Sequence, residues 1–308
     1  MNPAEQMAAI LLIVAGLGLA AAALYAVLPV ACGRRVTGRT ALARAASYAG
    51  LAIALALAVV SGTIGVTILL GAIAAFALLE WARLGGLPPR HVVAIEVASA
   101  IVFAAIATRG TAAADILVGG LAFAAALLPV ARPDTSRAFR DFGTAAAGLV
   151  VITVMLVHGV ALTVERGPAG AALVAAVAVG CAGSDVAAFF FGKRFGRTPL
   201  APRLSPNKTR AGLVGNFVGA AIALLVAAPV LVPLVGWPGL AGLASIVAVG
   251  AVWGDLLESA AKREFGVKDA GTWLPGFGGI LDRVDSLLLA LPLVYWAARL
   301  LDPVASLP

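Results

Sequence analysis

Apolar stretches of roughly 17–25 residues recur along almost the whole of this 308-residue chain, each long enough to cross a bilayer as a helix. Only 12% of the residues are charged and 62% are hydrophobic, whereas a soluble domain is about a quarter charged. So little polar surface cannot cover so large an apolar interior, and lipid must be the solvent for most of it. In lipid a segment has to satisfy its own backbone N–H and C=O groups, which leaves helices as the natural way to cross. The expected fold is therefore all-α, a multi-pass transmembrane bundle of about ten spans. They fall near 7–32, 45–61, 63–82, 92–108, 111–131, 142–163, 168–191, 212–236, 239–261 and 280–300. Only Ser61-Gly62-Thr63 separates the second from the third.

Basic residues assign the orientation, since Lys and Arg gather in cytoplasmic loops. With both termini outside, inside loops collect Arg34, Arg35, Arg39 and Arg44, then Arg83 and Arg90, then Arg132, Arg137 and Arg140. Lys193, Arg194, Arg197, Arg203, Lys208 and Arg210 follow, and finally Lys262, Arg263, Lys268 and Arg283. Only Arg109, Arg166 and Arg299 remain outside, of 22 basic residues in all. Trp81, Trp237 and Trp296 fall near the expected interfaces. The net charge of +7 thus reports topology first, and nucleic-acid binding is not inferred. Cys32 and Cys181 are isolated, show no metal-ligand spacing and read as small apolar residues. MNPAEQ puts no Lys or Arg ahead of the first apolar run, which argues against a secretory signal and keeps that run as a membrane helix. The chain reads as one integral-membrane domain over 1–308, with membrane helices in 1–165 and a catalytic half in 166–308.

Against this background, charge is spent freely between Asp255 and Ser286. Asp255, Glu258, Ser259 and Lys262 are spaced i, i+3, i+4, i+7 and share one helix face. Asp282, Asp285 and Ser286 repeat the pattern at the start of the last span, and Ser184 and Asp185 approach the cytoplasmic end of the seventh. Three helices therefore bring carboxylates to the same depth of one leaflet, where charges are costly and default to function. Unpaired carboxylates in low dielectric repel, and a divalent cation with hard oxygen ligands such as Mg²⁺ removes that cost. Lys262, Arg263, Lys268 and Arg283 form a basic rim for phosphates. The turn PGFGG at 275–279 can offer backbone N–H groups to anions, and GKRFGRTPLAPRLSPNKTRAG at 192–212 is a second basic loop. This combination points to phosphoryl or nucleotidyl transfer at a membrane surface.

Competing readings attach to several of these residues. Asp255, Asp282 and Asp285 can form a structural ion-pair knot with Lys262, Arg263 and Arg283. Lys193, Arg194 and Arg197 can be positive-inside anchors, and PGFGG a plain helix-entry turn. Glu80, Glu96 and Asp115 read as snorkelling or helix-pairing charges, His91 as interfacial and His158 as a packed or hydrogen-bonded helix residue.

The stretch SAAKREFGVKDAGTWLPGFGGILDRVDS, Ser259 to Ser286, resembles the signature of the phosphatidate cytidylyltransferases, or CDP-diacylglycerol synthases. That signature runs Ser-x-x-Lys-Arg, Lys-Asp, a Pro-Gly-His-Gly-Gly-like turn and Asp-Arg-x-Asp. It is matched at Ser259, Lys262, Arg263, Lys268, Asp269, Pro275, Gly276, Gly278, Gly279, Asp282, Arg283 and Asp285. A second similar block is SDVAAFFFGKRFGRTPLAPRLSPNKT, Ser184 to Thr209. Phe277 stands where the family usually carries His, and Ala211 where it carries Glu.

The resemblance implies the reaction CTP plus phosphatidate giving CDP-diacylglycerol and pyrophosphate, with Mg²⁺ and room for a second cation. It implies Asp255, Asp282 and Asp285 as metal ligands, with Lys262 beside them as a catalytic group. Asp185, Lys208, Thr209, Ser259, Arg263, Lys268, Asp269 and Arg283 then serve substrate binding. The partners implied are CTP, phosphatidate or a related lipid phosphate, membrane lipids and, as is common in the family, a second copy in a homodimer. The expected location is the inner (cytoplasmic) cell membrane, with the site facing the cytoplasm. Phe277 and Ala211 support an alternative, a divergent member acting on another lipid phosphate or a non-catalytic lipid- or nucleotide-binding relative. An ion-coupled transporter ranks below both, because the charges gather at one leaflet and in one half of the chain.

Overall fold

The computed structural model describes residues 38–111, 137–267, 271 and 279–301. The expected spans at 7–32 and 111–131 fall almost wholly outside the described residues, as do Cys32, Asp115, Lys268, Asp269, Trp273 and Phe277. The chain is built from helices α1 (Gly38–Val60), α2 (Gly62–Leu84), α3 (Pro89–Arg109) and α4 (Ala138–Gly148). A π-helical stretch, Leu149–Val154, joins α4 to α5 (Met155–Phe195). Strands β1 (Pro199–Ala201) and β2 (Ser205–Thr209) precede α6 (Arg210–Val226), α7 (Ala228–Glu264) and α8 (Leu281–Leu301). Among the described residues, five helical segments are long and apolar enough to cross a membrane: α2, α3, α4 through α5, α7 and α8. Within α1 and in α6 the apolar helix is shorter.

Two of the reversals expected between apolar runs occur at glycines. Gly62 adopts φ 61° between α1 and α2, a conformation that costs other residues a steric clash. Gly167, with φ 54° and Pro168 behind it, breaks the long helix α5. A Cβ placed on Gly170 would run into the backbone of Leu162. In an unbroken helix those residues stand about 12 Å apart, so the chain folds back at Gly167. The expected spans 142–163 and 168–191 meet there. Gly236, at φ 69°, breaks α7 where the spans 212–236 and 239–261 were separated, and a further break at Ala227 divides α6 from α7.

Lipid supplies no hydrophobic drive for helices to associate, so close packing and polar pairing hold the bundle. On α5 and α6, Gly183, Gly215 and Gly219 bring backbones into near contact; a Cβ on Gly215 would meet the Ala187 carbonyl oxygen. Thr153, in the π-helical stretch, donates to Ser99 Oγ of α3 at 2.9 Å, both side chains buried. Outward, α1 and α2 expose Ile53, Leu57, Ile64 and Ile68, as a lipid-facing surface requires. At one end of the bundle Glu165 accepts from Thr111 Oγ1 and Tyr295 Oη, each at 2.8 Å, and Arg299 donates to Tyr295 at 3.0 Å. The opposite end carries the acidic cluster.

Within the basic loop β1 and β2 pair antiparallel, Pro199 opposite Thr209 and Ala201 opposite Ser205. The hairpin is short because residues 202–204 form its turn and α6 begins at Arg210. Trp81 turns inward rather than to the head groups, donating Nε1 to the Thr144 carbonyl at 2.8 Å. His91 is buried at the start of α3. His158 is a packed helix residue, with Nδ1 2.6 Å from the Val154 carbonyl oxygen and its ring edge-on to Tyr295.

Candidate active site

The site begins with a missing side chain. Any Cβ on Gly254 would collide with the Asp285 carbonyl oxygen, and one on Gly250 with the Ala290 backbone. These glycines let α7 and α8 touch backbone to backbone. The acidic face of α7 is thereby laid against the acidic start of α8.

Asp255, Glu258 and Asp285 meet there, with one carboxylate oxygen of each within 4.8 Å of the others. Glu258 is 2% exposed. Lys262 bridges the helices: its Nζ pairs with Glu258 Oε2 and lies 2.8 Å from Asp282 Oδ1. Asp282 Oδ2 accepts from Gly279 N at 2.8 Å, so this carboxylate also ties down the entry to α8. Asp282, expected beside Asp255 and Asp285, is thus engaged by Lys262 and the backbone, and Glu258 takes the third place in the cluster.

Ser286 organises the neighbouring carboxylates. Its N–H donates to Asp285 Oδ1 at 2.7 Å and its hydroxyl to Asp185 Oδ2 at 3.2 Å, linking α8 to α5. Beside Asp185, Ser184 accepts from Asn216 Nδ2 of α6 at 2.8 Å. Ser259 Oγ lies 3.5 Å from Asp255 Oδ1. From the hairpin, Lys208 Nζ pairs with Asp255 Oδ2 at 2.5 Å. Thr209 caps α6, its hydroxyl accepting from Gly212 N at 3.0 Å. Arg263 reaches the hairpin turn at the Leu204 carbonyl, 3.4 Å away.

A cavity of about 1300 Å³ opens beside these groups. Its lining presents Asp185, Lys208, Asp255, Lys262, Asp282, Arg283 and Asp285; much of the remainder is apolar, with Leu51 and Leu55 of α1, Leu69 and Ile73 of α2, and Phe190 of α5. The cavity therefore joins a charged head to a greasy flank, and it draws on α1 and α2 as well as on the C-terminal helices.

The match to known proteins decides the family. The model of the cytidylyltransferase family matches residues 42–301. The chain belongs to this family. It is 35% identical over 176 residues to a phosphatidate cytidylyltransferase of Thermotoga maritima, covering 56% of this chain and 64% of that one. A Brucella suis protein of the same name is 36% identical over 180 residues, 58% of this chain and 64% of its own. One from Pseudomonas aeruginosa is 33% identical over 253 residues, 74% of this chain and 87% of the relative. The chain thus spans just under two thirds of the length of the Thermotoga and Brucella relatives.

For a cytidylyltransferase-family chain, the cluster suits a hard divalent cation. Three carboxylates converge, and carboxylates that repel one another in low dielectric gain from a shared hard cation. Sequence reasoning placed Glu258 on the right face without giving it a role; its i+3 spacing from Asp255 was the available signal. Of the two readings of Glu80, snorkelling and helix pairing, the contacts fit pairing: its carboxylate accepts from Ile280 N at 3.0 Å and Leu281 N at 2.8 Å. Ser286 was marked only by its i+4 spacing from Asp282, and Asn216 carried no local signal.

Proposed function

We propose that this chain is a membrane-embedded nucleotidyltransferase that converts CTP and phosphatidate into CDP-diacylglycerol and pyrophosphate. The observation that carries the reading is the cavity itself, whose carboxylates and lysines meet a long apolar wall. Such a chamber can hold a polyphosphate and a lipid phosphate together. The likeness to relatives named phosphatidate cytidylyltransferase supports the same substrates.

In the reaction a phosphate oxygen of the lipid attacks the α-phosphorus of CTP. A new P–O bond forms, the α–β bridge breaks, and pyrophosphate departs with the electron pair. No enzyme nucleophile is needed, so the residues act by positioning and by balancing charge. Asp255, Glu258 and Asp285 would hold Mg²⁺, which when bound neutralises phosphate charge. Asp282 keeps Lys262 directed into the cavity, and Lys262, Lys208 and Arg283 face the phosphates. Asp185 borders the nucleotide or a second cation. Thr209 lines the wall, Ser259 stands beside Asp255 and Arg263 ties α7 to the hairpin, while Lys268 and Asp269 join them by virtue of the family signature.

The finer topology belongs to the same proposal: ten spans, one membrane domain, both ends outside, and the cavity opening toward the cytoplasm of the inner membrane. Its support is the basic-residue asymmetry together with the meeting, at one end of the bundle, of the ends of α2, α5 and α7 with the starts of α6 and α8. A homodimer rests on the family resemblance. The test is turnover. Purified protein with Mg²⁺, CTP and phosphatidate should release pyrophosphate and form a CDP-lipid. Absence of turnover with CTP and every lipid phosphate tried would overturn the reading.

A further inference from the structure

Glu80 lies on the last turn of α2, far in sequence from the catalytic motifs, and is 1% exposed. Both its oxygens are used, Oε1 accepting from Ile280 N at 3.0 Å and Oε2 from Leu281 N at 2.8 Å. These N–H groups open α8 and have no partner within the helix, and a carboxylate there also meets the positive end of the helix dipole. Two glycines make room for it. A Cβ on Gly271 would stand 2.5 Å from Oε1, and one on Gly279 would stand 2.6 Å from Oε2. Gly279 N in turn donates to Asp282. The next residue of α2, Trp81, packs edge-on to Phe265, which closes the end of α7, with ring centroids 5.2 Å apart. One turn of α2 therefore grips the end of α7 and the beginning of α8, the two helices that carry the acidic cluster.

We propose that Glu80 is a positioning residue of the active site. By holding the first N–H groups of α8, it sets the register in which Asp282 meets Lys262 and Asp285 meets Asp255 and Glu258. It touches neither substrate nor metal. Its effect is on the geometry of groups that do. The turnover part of the test rests on the function proposed above; the structural part does not.

Two variants approach the contact from opposite sides, each made in the full chain in lipid nanodiscs. Glu80→Gln keeps the size but removes the charge and turns one acceptor into a donor. Gly279→Ala leaves residue 80 intact and displaces its carboxylate. Hydrogen–deuterium exchange of the peptide over 279–285 is compared with that of α3 and α5, and kcat and the KM for CTP are measured alongside. Both variants should speed exchange at 279–285 while α3 and α5 keep parental protection. The kcat should fall about tenfold or more, the range typical of lost supporting contacts. The KM for CTP should stay within about threefold, since binding groups remain in place. Unchanged protection at 279–285 in both variants overturns the proposal. So does loosening spread equally over α3 and α5, or parental kcat despite lost protection. If the parent protein turns over no lipid phosphate, the function reading fails, and the exchange pattern alone still decides whether Glu80 holds α8.

Discussion

Lys262 Nζ lies 2.8 Å from Asp282 Oδ1 and also pairs with Glu258, so one ammonium joins carboxylates from two different helices. Both side chains of the Lys262–Asp282 pair are largely buried. Removing one partner strands a charge in low dielectric, at a cost of about 3–5 kcal/mol. Lys262→Met should therefore lower the thermal midpoint and abolish turnover. Asp282→Asn, which keeps shape and one acceptor, should remain folded yet lose about a hundredfold or more in kcat. Near-parental activity in Asp282→Asn would show that the pair does not matter to the chemistry.

Mg²⁺ dependence should respond to the cluster that actually converges. Glu258→Gln and Asp285→Asn are each expected to raise the Mg²⁺ concentration for half-maximal turnover by about tenfold or more. Chelation with EDTA should stop turnover, and added Mg²⁺ should restore it. Titration of activity against Mg²⁺ in the two variants checks this.

Lys208 and Asp255 are partly exposed, at 22% and 34% of their side chains. Such a pair contributes roughly 0–1 kcal/mol to stability. Lys208→Ala should leave the thermal midpoint close to that of the parent and raise the KM for CTP by about tenfold, the cost of one charge-assisted phosphate contact. A large drop in stability with an unchanged KM would assign Lys208 to the fold instead.

At Gly254 the backbones of α7 and α8 nearly touch, and the added methyl group of Gly254→Ala would meet the backbone of Asp285 and Ser286. Overpacking of this kind costs about 1–3 kcal/mol. Because the strain falls between Asp255 and Asp285, kcat should drop more steeply than stability. Thermal unfolding followed in parallel with pyrophosphate release separates the two effects.

At the far end of the bundle, Tyr295→Phe removes the hydrogen bond to Glu165 without touching the cavity. It should cost about 1 kcal/mol of stability and leave kcat unchanged. A change in kcat would mean that the two ends of α8 are coupled.

Much of the candidate site could be read along the chain because helical spacing turns local sequence into a face. Asp255, Glu258, Ser259 and Lys262 had to point the same way, and in lipid such a face is too costly without a use. The apolar runs likewise declared a helical membrane protein, and Gly167 and Gly236 mark breaks that the run lengths anticipated. What spacing could not supply was pairing between elements. Ser286 reaches Asp185 across 101 residues, and Leu281 N reaches Glu80 across 201.

By itself, then, the sequence determined the solvent, the helices and the inventory of charged groups, because each follows from residues a few positions apart. Only the tertiary structure decided which carboxylates converge and which are spoken for. Glycine contacts set how near α7 and α8 approach, and that distance puts Glu258 with Asp255 and Asp285 while Lys262 and the backbone take Asp282. It also decided that a glutamate on an early helix holds the start of a late one, since a buried carboxylate must find donors wherever the fold presents them.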